Sequence, residues 1–173
     1  MTLRRLLSST LPLILLAGCG FAPVYAPASS GTPMSQLGQI YVAVIPDRTG
    51  QELRQALQVR LEGSGAPSSK SYTLKISYGI STSGIGIDPS TDVTFMRYQG
   101  QANWQLLSAV PGTPPLVSGL ASAQDGYSVI VNQYFYQSLE TDALYQRMAN
   151  NLADQIVVRL AAYFHDKDKV AQK

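Results

Sequence analysis

Apolar and polar positions change their period along this chain, and each change predicts an element. Ile40-Tyr41-Val42-Ala43-Val44-Ile45 is a continuous apolar run rich in β-branched residues and closed by Pro46-Asp47, which predicts a short buried strand at the start of a domain beginning near Gln39. Thr49 and Glu52 then have the spacing of a capping box, and Leu53, Leu57 and Leu61 recur every fourth residue until Gly63. That is an amphipathic helix whose other face, Arg54, Gln55, Gln58 and Glu62, reads as solvated. After a Gly/Ser/Pro loop from Gly63 to Ser69 the period becomes two: Tyr72, Leu74, Ile76, Tyr78 and Ile80 alternate with Thr73, Lys75, Ser77, Gly79 and Ser81.

A second long strand is expected from Thr91 to about Ser108, with Ala102, Trp104 and Leu106 facing in, Gln101, Asn103 and Gln105 facing out, and Gly100 marking a bend or bulge. A turn at Pro111 to Pro115 leads to a third run, Leu116 to Ala123. The closing helix is expected to start near Ser138. Leu144, Met148, Leu152, Ile156, Leu160 and Phe164 stand four apart in it, broadened by Tyr145, Ala149, Ala153 and Val157 into a stripe wide enough to dock on a sheet. Strands joined by turn-rich links and polar on one face form an antiparallel meander whose apolar side needs a cover, which the helices supply. The fold class is therefore α+β, a two-layer sandwich. Between the last strand and the closing helix, Tyr127 to Tyr136 is a cluster of large apolar residues that either folds over the core or stays exposed for a partner.

The chain's beginning has a different pattern. Met1 to Arg5 is a positive segment, Leu6 to Leu16 is apolar apart from Ser8, Ser9 and Thr10 and too short for a permanent membrane span, and Leu16-Ala17-Gly18-Cys19 matches the lipobox read by the lipoprotein signal peptidase. Residues 1–18 are accordingly expected to be a cleaved signal peptide. The Cys19 sulfur would accept a diacylglycerol and the freed amine a further acyl chain such as palmitate, each buried methylene adding about 0.8 kcal/mol of membrane affinity. The Pro, Ser and Gly content of the next stretch makes residues 19–38 a flexible tether, residues 39–165 the domain and residues 166–173 a polar tail. Gly20 follows the cysteine where an Asp would favour inner-membrane retention in enteric bacteria, so the expected location is the outer membrane.

Composition narrows the chemistry. The formal net charge of +2 in 173 residues is matched by Arg4 and Arg5 in the leader, so the domain is close to neutral and lacks the dense basic face of a nucleic-acid binder. Cys19 is the only cysteine, leaving no intramolecular disulfide and no thiolate cluster for a metal. His165 is the only histidine and lies among charged residues at the expected end of the last helix, where it reads as a surface or capping residue. The glycine pair in Ser83-Gly84-Ile85-Gly86-Ile87-Asp88 leads into a Pro89 turn and not into a helix, so it cannot cradle a phosphate. No catalytic set, cofactor or metal site is expected, and the chain does not read as an enzyme.

The order of the parts carries a resemblance. A lipobox followed by Cys19-Gly20-Phe21-Ala22-Pro23-Val24-Tyr25, a strand, a helix with Leu53-Arg54-Gln55-Ala56-Leu57 and Arg60-Leu61, long strands containing Phe95-Met96-Arg97, and a closing helix with Ala153-Asp154-Gln155-Ile156 and Arg159-Leu160 resembles the lipopolysaccharide-assembly lipoprotein family LptE. The opening is most similar to the alphaproteobacterial branch. The resemblance implies two helices packed on one face of a roughly four-stranded sheet. It further implies an outer-membrane lipoprotein that plugs the LptD β-barrel, supports its assembly and can bind lipopolysaccharide.

By the same resemblance Arg97 matches a basic residue of the family's long strand. Its guanidinium can hold a lipid A phosphate through two parallel hydrogen bonds, although a solvated arginine without a ligand would look the same. A second basic position of some members, before the last helix, is occupied here by uncharged residues near Gln137. Lys75 could assist Arg97 if the two strands pair, and otherwise is a solubilising residue. The polar strand positions Thr73, Ser77, Gln99, Gln101, Asn103 and Gln105 suit a plug in a hydrated barrel, because amides and hydroxyls bond a polar lumen without the cost of desolvating charge. An alternative is an auxiliary lipoprotein of a lipid-transport ABC system, contacting channel proteins in the periplasm.

Overall fold

The computed structural model describes residues 33–62, 69–87, 93–129 and 134–171. In chain order they form helix α1 (Pro33–Leu37), strand β1 (Ile40–Val42), helix α2 (Arg48–Glu62), strands β2 (Tyr72–Ile87), β3 (Val93–Ser108) and β4 (Val117–Ser128), and helix α3 (Tyr134–Ala171). The strands make one sheet in the order β1-β2-β3-β4. β2, β3 and β4 pair antiparallel, with Leu74 opposite Leu106 and Ala102 opposite Ala121, which is the meander that the alternation predicts. β1 lies parallel to β2, Ile40 beside Tyr72, because α2 intervenes as the crossover that a parallel pair requires. The sheet is thus mixed, and three helices cover it.

The core sits between sheet and helices. Leu53, Leu57 and Leu61 of α2 meet Leu144, Met148, Leu152, Ile156, Leu160 and Phe164 of α3, all buried as the fourfold spacing requires. From the sheet come Leu74, Ala102, Trp104 and Leu106, with Trp104 at 1% exposure the bulkiest. Burying each leucine of this set is worth about 1.5–3 kcal/mol.

Several expectations are corrected. Pro33–Leu37, within the stretch read as tether, is helical: Leu37 is fully buried, and Gln36 Nε2 donates to both carboxylate oxygens of Asp168, at 2.8 and 3.0 Å. A single docked leucine and one distant acceptor hold it, and neither leaves a periodic signal. The first strand is shorter than its apolar run. Tyr41 and Val44 are exposed while Val42 and Ile45 are buried, since β1 is an edge strand covered on one face only. α2 begins at Arg48, so Asp47 (φ +67°), whose carbonyl accepts from the Gln51 N–H at 3.0 Å, precedes the helix, and Thr49 lies inside its first turn. The capping box is therefore not formed. Arg54 is not simply solvated either, because its Nε donates to the Val42 carbonyl at 3.2 Å and ties α2 to β1.

Gly100 marks neither bend nor bulge. It stays in register with Ile80 and Ala123, and an added Cβ would come within 2.7 Å of Met148 Cε, so the glycine makes room for α3. β4 runs past Ala123 to Ser128, and α3 starts at Tyr134, not Ser138. α3 also continues through the segment read as a polar tail, as far as Ala171, with Lys167 Nζ 3.3 Å from the Tyr72 hydroxyl. Exposed polar turns of a helix show no apolar period, which is why this part was not legible.

The Tyr127–Tyr136 cluster divides. Tyr127 is half-buried at the end of β4, whereas Phe135 and Tyr136, in the first turn of α3, are exposed by 78% and 44%. Residues 130–133, like the leader, the lipobox with Cys19 and the tether up to residue 32, lie outside the described residues. Among the described residues no helix is long and apolar enough to cross a membrane.

Candidate functional site: the open sheet face

All three helices pack on one side of the sheet and leave the other side open. Strand alternation decides what lies there. In β3 the even-numbered residues Tyr98, Gly100, Ala102, Trp104 and Leu106 are buried under the helices, so Arg97, Gln99, Gln101, Asn103 and Gln105 project from the open side. Cross-strand register extends the face: Lys75, Ser77, Ser81 and Ser83 on β2 stand beside Gln105, Asn103, Gln99 and Arg97, and Ser118, Leu120, Ser122 and Gln124 on β4 complete it. Among the described residues the face carries the cations Lys75 and Arg97 and no carboxylate. Asp125, opposite Tyr98, belongs to the helix side, where Arg147 Nε reaches its Oδ2 at 2.7 Å.

Lys75 and Arg97 share this face but not a site. Arg97 pairs with Ser83, and the eight-residue offset from Lys75, at ~3.3 Å per residue, separates them by about 26 Å. The idea that Lys75 assists Arg97 on one phosphate is thereby excluded. Both side chains are exposed and neither has a hydrogen-bond or ion-pair partner among the described residues, so each charge is available to an outside anion. Lys75, Ser77, Asn103, Gln105 and Ser118 line a shallow groove of about 480 Å³. Gln137, near the position that is basic in some family members, is half-buried on α3, its carbonyl accepting from Thr141 Oγ1 at 2.8 Å. His165 is exposed, six residues before the end of α3, with Nδ1 3.6 Å from Asp166 Oδ1.

Behind Arg97, on the helix side, a tyrosine cluster stiffens the strands. Tyr98 stacks on Tyr127 (5.9 Å, 27°) and meets Tyr145 edge-on (5.9 Å, 83°), while the Tyr127 hydroxyl lies 3.2 Å from Thr141 Oγ1. Burial, and then the hydrogen bond with Tyr127, push the Tyr98 phenol up to about 12. Tyr78 is likewise pushed up to about 12, by burial first and then by the negative charge of Glu52. These phenols stay neutral at physiological pH and act as packing and hydrogen-bonding groups. Glu52 itself titrates above the usual carboxylate range: burial raises it, Asp142 adds to the rise, and Arg48, 3.6 Å away, opposes it.

Sequence reading missed the residues that fasten α3 to β4. Gln155 Nε2 donates to the Ser122 carbonyl at 2.8 Å, and Gly119 lies under the Trp104 indole so closely that a Cβ would sit 2.7 Å from Cζ2. The Gly119 position could have been suspected, since a glycine inside a strand marks a close approach. Gln155 left no such signal. Among the described residues no three His, Cys, Asp or Glu side chains gather as metal ligands.

This two-layer arrangement is similar to that of several solved structures. A protein described as a lipoprotein from Caulobacter crescentus CB15 is 21% identical, with a TM-score of 0.60 over 77% of this chain and 96% of its own. A minor lipoprotein from Acinetobacter baumannii is 16% identical, with a TM-score of 0.57 over 72% of this chain and 91% of its own. Rare lipoprotein B from Shewanella oneidensis is 15% identical, with a TM-score of 0.54 over 75% and 96%. At such identities the likeness carries the fold: a small sheet covered on one side by helices, of a class found in bacterial lipoproteins. No curated protein matches the chain in sequence. The model of LptE, described as lipopolysaccharide-assembly, matches residues 37–160, and the chain belongs to that family.

Proposed function

We propose that this chain is a non-enzymatic outer-membrane lipoprotein, held by acyl chains on Cys19, whose domain plugs the LptD β-barrel, supports its assembly and binds lipopolysaccharide through Arg97. The observation that carries this reading is the open sheet face. Long strands present serines, glutamines and an asparagine with two unpaired cations and no carboxylate among the described residues. Amide and hydroxyl groups exchange water for lumenal partners at little desolvation cost, whereas a face dense in charge would resist enclosure. Arg97, exposed and unpaired among the described residues, has its guanidinium donors available for a phosphate. Lys75, about 26 Å away along the sheet, would meet a different part of the ligand or of the barrel wall. Family membership supports a role in lipopolysaccharide assembly.

The test is purification from detergent-solubilised outer membrane under conditions that keep complexes intact. A stable one-to-one complex with a large β-barrel is expected. Recovery with an inner-membrane transporter and no barrel would refute the plug and favour the auxiliary role in a lipid-transport ABC system. Mass measurement of the purified chain, and of a Cys19→Ala variant, reads the anchor: acyl mass is expected in the first and lost in the second.

A further inference from the structure

The two sides of the sheet end differently. Along β4, itself a terminal strand, Gln155 of α3 caps the outward Ser122 carbonyl. Along β2, β1 covers only Tyr72 to Leu74, and the Ala43 N–H adds one bond to the Leu74 carbonyl at 3.0 Å. Beyond that point, to Ile87, the outer edge of β2 has no strand partner among the described residues. Because the Leu74 carbonyl points outward, and both backbone groups of every second residue share a side, Tyr78, Ile80, Thr82 and Gly84 also turn their N–H and C=O outward, whereas at Gly86 (φ +75°) the alternation breaks and the carbonyl accepts from Thr94 Oγ1 at 3.3 Å.

Sheets ordinarily blunt a free edge with charge, proline, a bulge or a cover. Residues 76–87 contain no charged residue and no proline, and Ser77, Gly79 and the stretch from Ser81 to Gly84 are exposed. We propose that this edge pairs antiparallel with the same edge of a second copy of the chain, about a twofold axis through Thr82.

The sequence of the edge is complementary to itself in that register. An axis perpendicular to the sheet brings helix-side residues opposite helix-side residues and open-face residues opposite open-face residues. With the axis at Thr82, Ile80 faces Gly84 and Ile85 faces Gly79, so each of these bulky side chains meets a glycine. Thr82 meets Thr82, a favourable cross-strand pair. The seam runs from Gly79 to Ile85, clear of the kink at Gly86 and of the edge that β1 occupies, so nothing is displaced, and Lys75 stays outside it. About six backbone hydrogen bonds form across the seam. A contact about 23 Å long and one strand thick is smaller than the roughly 1,200 Å² of a standard stable interface, so the pair is reversible. It is a self-association separate from the barrel reading and does not depend on it.

Analytical ultracentrifugation of the full chain in density-matched detergent tests this, across about 1 µM to about 1 mM. The protein mass is expected to double along the series. Thr82→Lys and Thr82→Glu should each remain monomeric, because each places like charges across the axis, and an equimolar mixture of the two should recover the dimer. Gly79→Lys, at a position where an added Cβ meets nothing within 4 Å, provides a second edge variant with an unperturbed fold and should also remain monomeric. Helical circular dichroism verifies folding in each case. A mass that stays monomeric to the highest concentration overturns the proposal, as does a dimer that survives both lysine variants. Failure of the lysine and glutamate forms to pair also overturns it. None of these results bears on co-purification with a barrel.

Discussion

Gly119→Ala probes the packing behind the open face, and its cost follows from the geometry. The new methyl carbon would lie 2.7 Å from Trp104 Cζ2 and 2.9 Å from Cε2, with Arg159 Nη1 at 3.2 Å. The indole is rigid and 1% exposed, so it cannot swing aside without displacing α3 from the sheet. Overpacking of this kind costs about 1–3 kcal/mol. Alanine returns about 0.4–1 kcal/mol by restricting the unfolded chain. The net expectation is a loss of about 1–2 kcal/mol, which for a domain of this size lowers Tm by roughly 3–8 °C. Trp104 is the chain's one tryptophan, so its fluorescence reports on this contact directly and is expected to shift in the variant. Gly79→Ala is the control, since its Cβ meets nothing within 4 Å, and it should leave Tm unchanged or slightly raised. If Gly119→Ala melts with the parent and its emission is unshifted, the indole does not lie on Gly119 and the packing argument fails.

Other outcomes follow from the same structure. Glu52 titrates above its ordinary value, so the folded state binds a proton that the unfolded state has already released, and stability falls as pH rises through the carboxylate range. Glu52→Gln should flatten that fall in denaturant titrations between acid and neutral pH; an unchanged slope would show that the carboxyl is not disfavoured by burial. Gln36→Ala removes two hydrogen bonds to Asp168 and should cost about 1–2 kcal/mol, with hydrogen exchange accelerated in α1 and the end of α3 while the centre of α3 stays protected. Arg97→Glu should weaken lipopolysaccharide binding at low salt by tenfold or so, a change of about 1.4 kcal/mol, while barrel association persists. Equal binding by parent and variant would remove Arg97 from the site.

Periodicity by itself determined the layers. Apolar residues at every fourth position in α2 and α3, and alternation in β2 and β3, state which side of each element must leave water, and that side is the one buried. The composition of the open face was legible for the same reason: once Ala102, Trp104 and Leu106 face in, Gln101, Asn103 and Gln105 must face out. Interactions between residues far apart in sequence left no such trace. That Gln36 holds Asp168, that Gly100 and Gly119 make way for Met148 and Trp104, and that α3 continues to Ala171 depend on where the layers come to rest against each other. Register is likewise a tertiary property. Only the pairing of Ser83 with Arg97 puts Lys75 about 26 Å from it, and only the shortness of β1 leaves the outer edge of β2 without a strand beside it. A local pattern specifies which face is apolar, whereas distances across a sheet and contacts between layers arise when separate elements dock, and the order of residues along one element does not encode them.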